Sequence, residues 1–159
     1  MDSIFDAILP APFGKIGVRT DGAAIREIVY LPESMKLAAP ANAVTQRLAR
    51  QLEAYYADPD APFDVPLAPV GSDFQRRVWQ AIASVPRGKV TTYGAVARQI
   101  ASAPRAVGQA CGANYFPLVI PCHRVVGASG IGGFANHQGD GFFLDIKRWL
   151  LRHEGVLLT

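Results

Sequence analysis

A chain of 159 residues, half of them hydrophobic and 18% charged, is long enough to bury one ordinary core or two small ones. No run approaches the roughly 18 uncharged apolar residues of a membrane-spanning helix, and residues 1–9 have neither the basic start nor the long apolar stretch of a secretory signal, so the expected compartment is the cytoplasm. The net charge of +3 is unevenly held: residues 1–68 carry 6 Lys and Arg against 9 Asp and Glu, whereas residues 69–159 carry 10 against 4, a net of +6 that suggests a polyanionic partner.

In chain order, alternating apolar residues predict strands over 3–9, 16–20 and 24–30, with Asp21-Gly22 as a hairpin turn between the last two. Asn42 is placed to cap a helix whose Val44, Leu48, Leu52, Tyr55 and Tyr56 fall on one face and cover the sheet. The run from Pro59 to Pro69 reads as a connector, dividing the chain into a domain of residues 1–68 and one of residues 69–159. The first has no chemical motif and reads as a scaffold.

The second domain opens with Ser72 and, three residues on, Gln75, a capping box before a helix that buries Phe74, Val78, Trp79 and Ile82. Pro86-Arg87-Gly88-Lys89 ends it. After an extended Val90-Thr91, Thr92 caps a helix over 93–99 that buries Val96, Ala97 and Ile100. A turn at Ser102 to Pro104 leads into a further helix ending near Ala113, with Pro104 in its first turn, so the pair is a helix-turn-helix candidate. Many such hairpins bind nothing; Arg98, Arg105 and the basic half favour DNA. The apolar run Phe116 to Ile120 predicts a buried strand, and a last helix over 144–153 turns Ile146, Trp149 and Leu150 inward, with Glu154 at its end.

The predicted strand leads into Pro121-Cys122-His123-Arg124-Val125-Val126. A thiol attacks as thiolate, and a free pKa of roughly 8.5 leaves little of it ionised at neutral pH, so a reactive cysteine needs a base or positive charge beside it. His123 and Arg124 are candidates by type. Neighbours in a strand point to opposite faces, so the chain must turn at Pro121-Cys122 for thiol and imidazole to meet, unless a water relays the proton. Glu154 is a candidate to orient the imidazole. On the residues alone, Cys122 and His123 also fit a buried structural thiol and a satisfied core histidine. Cys111 and Cys122 are expected to stay reduced. A zinc site drawn from Cys111, Cys122, His123, His137 and His153 lacks the short paired spacing of structural zinc ligands; no metal and no cofactor are expected.

Taken together, Phe74 to Val126 resembles the O6-alkylguanine-DNA alkyltransferases through Pro-Arg-Gly-Lys-Val, Tyr93-Gly94, Arg105-Ala106-Val107-Gly108, Asn114 and Ile-Pro-Cys-His-Arg-Val-Val; Lys147 to Leu151 with His153-Glu154-Gly155 also matches. The close resemblance spans about residues 72–155 and is most specific at Pro-Cys-His-Arg. It implies an α+β fold: a small ribonuclease H-like α/β domain, then a winged-helix-like helix-turn-helix domain.

It further implies irreversible, stoichiometric transfer of the alkyl group from O6-alkylguanine, and expectedly O4-alkylthymine, in double-stranded DNA to Cys122. His123 activates the thiol through a water and Glu154 holds His123. The damaged nucleotide flips out through the minor groove, Arg105 fills the gap as a finger, and Tyr93 pushes on the adjacent phosphate and donates to the base. Small Ala106, Gly108 and Ala110 permit close approach, Arg124 adds a DNA contact, and Asn114 links the second helix to the active site. The Val125 carbonyl and backbone near Phe134 and Ala135 contact the flipped base. A monomer in solution, with several copies clustering on DNA, is expected.

Two departures stand out. Asn114-Tyr115 replaces the usual Asn-Pro, and a longer loop, with Phe134 where tyrosine is common, precedes the last helix; it is expected to wall the pocket and alter which alkyl groups fit. Rival readings are a non-repairing binder of alkylated DNA, which would lack the cysteine, a sequence-specific regulator and a Cys-His-Glu hydrolase.

Overall fold

The computed structural model describes residues 4–132 and 141–156. It separates into two compact units, Met1–Val70 and Gly71–Thr159, and among the described residues no helix is long and apolar enough to cross a membrane.

In the first unit, β1 (Ala7–Ala11), β2 (Gly14–Thr20) and β3 (Ile25–Leu31) form an antiparallel sheet with β2 central, Ala7 facing Val18 and Ile16 facing Tyr30. Regular pairing begins at Ala7, later than the alternation predicts, because the Asp6 carboxylate accepts from the Thr20 backbone N–H at 2.7 Å and takes the place of a ladder bond. The turn after β2 is also longer than a two-residue hairpin: Asp21 Oδ1 accepts from the backbone of both Ala23 and Ala24, an Asx-type closure. Both outer strands are partly covered. Ile8 exchanges backbone hydrogen bonds with Ala38 beside β1, and Ile25 bonds to Pro66 and Ala68 beside β3, so the end of the Pro-rich run is built into the sheet margin.

Helix α1 (Ala43–Ala57) buries Val44, Thr45, Leu48, Leu52 and Tyr55. Asn42 Oδ1 accepts from Thr45 N at 3.0 Å, Thr45 Oγ1 accepts from Asn42 N at 3.1 Å, and the Asn42 amide also donates to Thr20 Oγ1 at 2.8 Å. One residue thereby closes the helix end and ties it to β2.

In the second unit, α2 (Asp73–Ala83) starts in the Ser72–Gln75 capping box and buries Val78, Trp79, Ala81 and Ile82, leaving Phe74 only half-buried. Thr91–Thr92 (β4) pairs in parallel with Val125–Val126 (β5). Thr92 then caps α3 (Tyr93–Gln99), its Oγ1 accepting from Ala95 N at 3.0 Å. The chain leaves α3 through Ala101 in the left-handed region (φ 56°), and α4 (Pro104–Gly112) follows with Pro104 at its start. The Trp79 indole donates to the Ala110 carbonyl at 2.9 Å, fixing α4 against α2. Helix α5 (Phe142–His153) buries Leu144, Ile146, Lys147, Leu150 and Leu151; Trp149 is half-buried and stacks on His153.

The strand expected over Phe116–Ile120 does not form. Pro117 has no N–H for a ladder, the Phe116 N–H is taken by Asn114 Oδ1 at 2.8 Å, and Ile120 N–H folds back to the Phe116 carbonyl at 2.8 Å. Leu118 adopts φ 77°, rare for a bulky side chain, inside this tight buried turn. Replacing Asn42 with Ala should remove the side-chain cap on Thr45 N and the link to Thr20, leaving the backbone bond to Thr45 Oγ1, and cost about 1–2 kcal/mol, measured as a lowered urea midpoint with an unchanged slope.

Candidate functional site

Cys122 opens a three-residue 3-10 turn, Cys122–Arg124, between the Pro117–Ile120 turn and β5. The 3-10 turn supplies the reversal that an extended chain lacks, and both Cys122 and His123 are buried in it. Asn114, just past the end of α4, holds the sulfur: its Nδ2 donates to Cys122 Sγ at 3.2 Å and to the Ile120 carbonyl at 2.9 Å, while its backbone N–H bonds the Cys111 carbonyl at 3.1 Å. One amide thus joins α4, the buried turn and the thiol.

His123 lies 2.8 Å from Glu154, Nε2 to Oε2, with both side chains almost wholly buried (1% and 0% exposed). A carboxylate only accepts, so the ring proton sits on Nε2 and Nδ1 carries a lone pair. Nδ1 is buried and without a hydrogen-bond partner among the described residues. Burial pushes the His123 pKa down; Glu154 opposes this, and the Arg124 and Lys147 charges add to it. The imidazole is therefore neutral at pH 7, with a vacant basic nitrogen.

Arg124, expected at DNA, turns inward instead. Its Nε and Nη2 donate to the two Glu154 oxygens at 2.8 and 3.0 Å, and Nη1 donates to the Val85 carbonyl at 2.7 Å. A buried carboxylate needs such donors to remain charged, and Glu154 draws the guanidinium inward for that reason. Arg87 also reaches the Glu154 backbone carbonyl at 3.2 Å.

The neighbouring Cys111 and burial push the Cys122 thiol well above the ordinary thiol range, against the Asn114 amide and the Lys147 charge. Lys147, which the sequence reading left without a role, is fully buried, donates from Nζ to the Val125 carbonyl at 2.7 Å and lies 5.9 Å from the centre of the Tyr93 ring. Burial pushes it down to about 8, with Cys111 and Cys122 opposing the shift. Its position three residues after Leu144 and four before Leu151, both buried, was the available signal.

Tyr93 begins α3, partly buried; burial and the two cysteines push its phenol up, so it remains a hydroxyl donor at neutral pH. Arg105 is exposed in the first turn of α4, with no ion pair among the described residues; Ala106 and Gly108 are half-buried. Ala110, expected at the DNA-facing side, is buried instead with its carbonyl on Trp79, because it lies on the face of α4 that packs on α2. The Val125 side chain is buried and its carbonyl is shared with Lys147. Phe134, Ala135 and His137 lie outside the described residues. Among the described residues no three His, Cys, Asp or Glu side chains group as metal ligands.

Residues 73–156 match the family model described as 6-O-methylguanine DNA methyltransferase, DNA binding domain. The chain is 38% identical over 160 residues to a methylated-DNA–protein-cysteine methyltransferase of Methanosarcina acetivorans, covering 96% of this chain and 99% of that protein. Among solved structures it superposes on the Mycobacterium tuberculosis O6-methylguanine methyltransferase with a TM-score of 0.78 at 34% identity, covering 92% of this chain and 90% of the other. The same organism's protein in complex with DNA gives a TM-score of 0.76 at 35% identity and the same coverage.

Exchanging Glu154 for Gln should strand the Arg124 guanidinium without its counter-charge and cost about 3 kcal/mol or more. Urea unfolding of the variant beside Arg124→Met/Glu154→Gln, which removes both charges, should show the double change recovering part of that loss.

Proposed function

The chain belongs to the methylated-DNA–protein-cysteine methyltransferases, and on that premise we propose that Cys122 is its alkyl acceptor, used once per molecule. The observation that carries this reading is the buried row of Asn114 on the Cys122 sulfur and, beside it, a neutral His123 fixed by Glu154 with Nδ1 vacant. The row has a nucleophile, a base and an orienting carboxylate.

In the proposed reaction a water carries the Cys122 proton to His123 Nδ1, and Glu154 stabilises the resulting imidazolium through Nε2. The thiolate attacks the alkyl carbon on O6 of guanine; a carbon–sulfur bond forms, the carbon–oxygen bond breaks, and the electron pair leaves with the base. Tyr93, a hydroxyl donor at the start of α3, hydrogen-bonds the departing guanine. Because Cys122 is a neutral thiol in the free protein, deprotonation belongs to the step in which the base is bound. The product is a thioether, which none of these groups can hydrolyse. O4-alkylthymine presents the same kind of carbon and is the expected second substrate.

The target carbon is inaccessible within a base stack, so the nucleotide has to be extruded, at about a few kcal/mol. Arg105 at the exposed start of α4 is the residue proposed to fill the gap, with Ala106 and Gly108 letting that helix approach the minor groove. The unit that holds them carries the whole basic excess, a net of +6. The Val125 carbonyl, which accepts from Lys147, is the proposed backbone contact for the base. We further propose cytoplasmic work as a monomer, with several copies clustering on a damaged duplex.

Intact mass after incubation with a duplex containing one O6-methylguanine should rise by one methyl group in place of a proton, and Cys122→Ala should show no rise. Tight lesion-selective binding without added mass would instead identify a non-repairing binder; repeated ester turnover would identify a hydrolase.

Gly108 gives a separate test of the α4 surface. A Cβ there would meet only Tyr93 Cδ1, at 4.0 Å, so packing within the protein leaves room for one. Gly108→Ala should therefore stabilise the fold by about 0.5–1 kcal/mol while weakening duplex binding, as read by urea unfolding and by titration of labelled duplex.

A further inference from the structure

The reaction proposed above leaves Lys147 without a task. Its side chain is fully buried on the inner face of α5. Taking an ammonium out of water is costly, and a methionine of similar length would fill the same space without that cost. A charge kept inside the protein at this place points to something that it holds.

Two contacts fix what that is. Nζ donates to the Val125 carbonyl at 2.7 Å and stands 5.9 Å from the centre of the Tyr93 ring, within the range of cation–π attraction. Val125 ends the turn that carries the nucleophile: its backbone N–H bonds the Cys122 carbonyl, and it opens β5 opposite Thr91. Tyr93 follows β4 directly, as the first residue of α3. The backbone of Gly132 also approaches the phenol, so closely that a Cβ there would lie 3.1 Å from Tyr93 Cε2 and 3.5 Å from the hydroxyl. One cation on α5 therefore reaches both the exit of the Cys122 turn and the head of α3.

We propose that Lys147 is a positioning residue for alkyl transfer: its ammonium fixes the Val125 carbonyl and the Tyr93 phenol relative to one another, so that a flipped guanine lying against both presents its alkyl carbon to the Cys122 sulfur. The proposal rests on the reading of Cys122 as acceptor and of Tyr93 and the Val125 carbonyl as contacts of the base, and it names what aligns them. Lys147 makes no bond to the base in this scheme and acts through its two neighbours. Burial pushes its pKa down to about 8, which still leaves it an ammonium at pH 7.

The effect belongs to the transfer step. Affinity for a duplex comes largely from cations that meet phosphates, and a lysine with no exposed surface adds little to it. Alignment is different, because a displacement of about 1 Å among reacting groups can cost roughly 100-fold in rate. Methionine at this position keeps the apolar bulk and loses both contacts; arginine keeps a cation that can donate to the same carbonyl.

Single-turnover methyl transfer at pH 7 would be followed by intact mass, with a duplex carrying one O6-methylguanine in increasing excess over the full chain. This separates the half-saturating duplex concentration from the limiting rate for wild type, Lys147→Met and Lys147→Arg, with urea unfolding of each alongside. Lys147→Met should stay folded and half-saturate as wild type does, while its limiting rate falls by roughly 10- to 100-fold. Lys147→Arg should recover part of that rate. In a Tyr93→Phe background, where no hydroxyl is left to place, the fold-loss from Lys147→Met should be smaller.

A limiting rate for Lys147→Met equal to that of wild type would overturn the proposal. Half-saturation weakening in step with the rate, or a methionine variant that does not fold, would assign the lysine to the fold and overturn it as well. So would Lys147→Arg no faster than Lys147→Met, or the same fold-loss with and without the Tyr93 hydroxyl. If wild type gained no methyl group, the reading of Cys122 as acceptor would fail and take this proposal with it; wild-type transfer beside an unaffected Lys147→Met would leave that reading standing and remove only the role given to Lys147.

Discussion

The buried carboxylate of Glu154 is the constraint on which the site depends. It is fully buried, and its two oxygens are shared by His123 from one side and the forked guanidinium of Arg124 from the other, so its charge is matched by donors on the 3-10 turn. Arg124 also anchors to Val85 at the end of α2, and Arg87 holds the Glu154 backbone. The polar contacts that fix the imidazole therefore also join α2, the 3-10 turn and α5. Orientation of the base and integrity of the second unit are one set of interactions, and a change at Glu154 acts on both.

Asn114 makes the complementary connection on the sulfur side. Its amide reaches Cys122 and Ile120 while its carbonyl oxygen receives the Phe116 N–H, so the helix that carries Arg105 ends directly on the thiol. A displacement of α4 would thus be felt at Cys122 through a single side chain. In the first unit, the polar contacts of Asp6 and Asn42 with Thr20 and Thr45 close its own sheet and cap its own helix.

Much of the architecture was legible because it is written in local chemistry. Asn42 and Ser72 are capping residues with their partners three positions on, Thr92 and Pro104 mark helix starts, and the apolar periodicity of α1 and α2 needs no tertiary information. Cys122-His123 with Glu154 could be singled out by reactivity and by resemblance. What failed was whatever depends on a partner far along the chain. Phe116–Ile120 has strand composition, but Pro117 and the Asn114 side chain remove the bonds a strand would need. Arg124 reads as a surface cation until a carboxylate 30 residues away claims it. Lys147 enters the sequence reading only as part of the resembling segment, and its place emerges with its burial on α5 and its bond to the Val125 carbonyl 22 residues away.

The margins of the three-stranded sheet bear on how molecules behave at high local concentration. Ala38 occupies part of the open side of β1, and Pro66 to Ala68 occupy the start of β3. An uncovered strand offers a row of unpaired amides and carbonyls on which another chain can template itself regardless of sequence. Here that row is interrupted on both sides, one interruption coming from a proline-rich stretch poor in donors. Strand addition is accordingly disfavoured, and neighbouring copies are left to meet through side chains, whose chemistry can be selective and whose contacts can come apart.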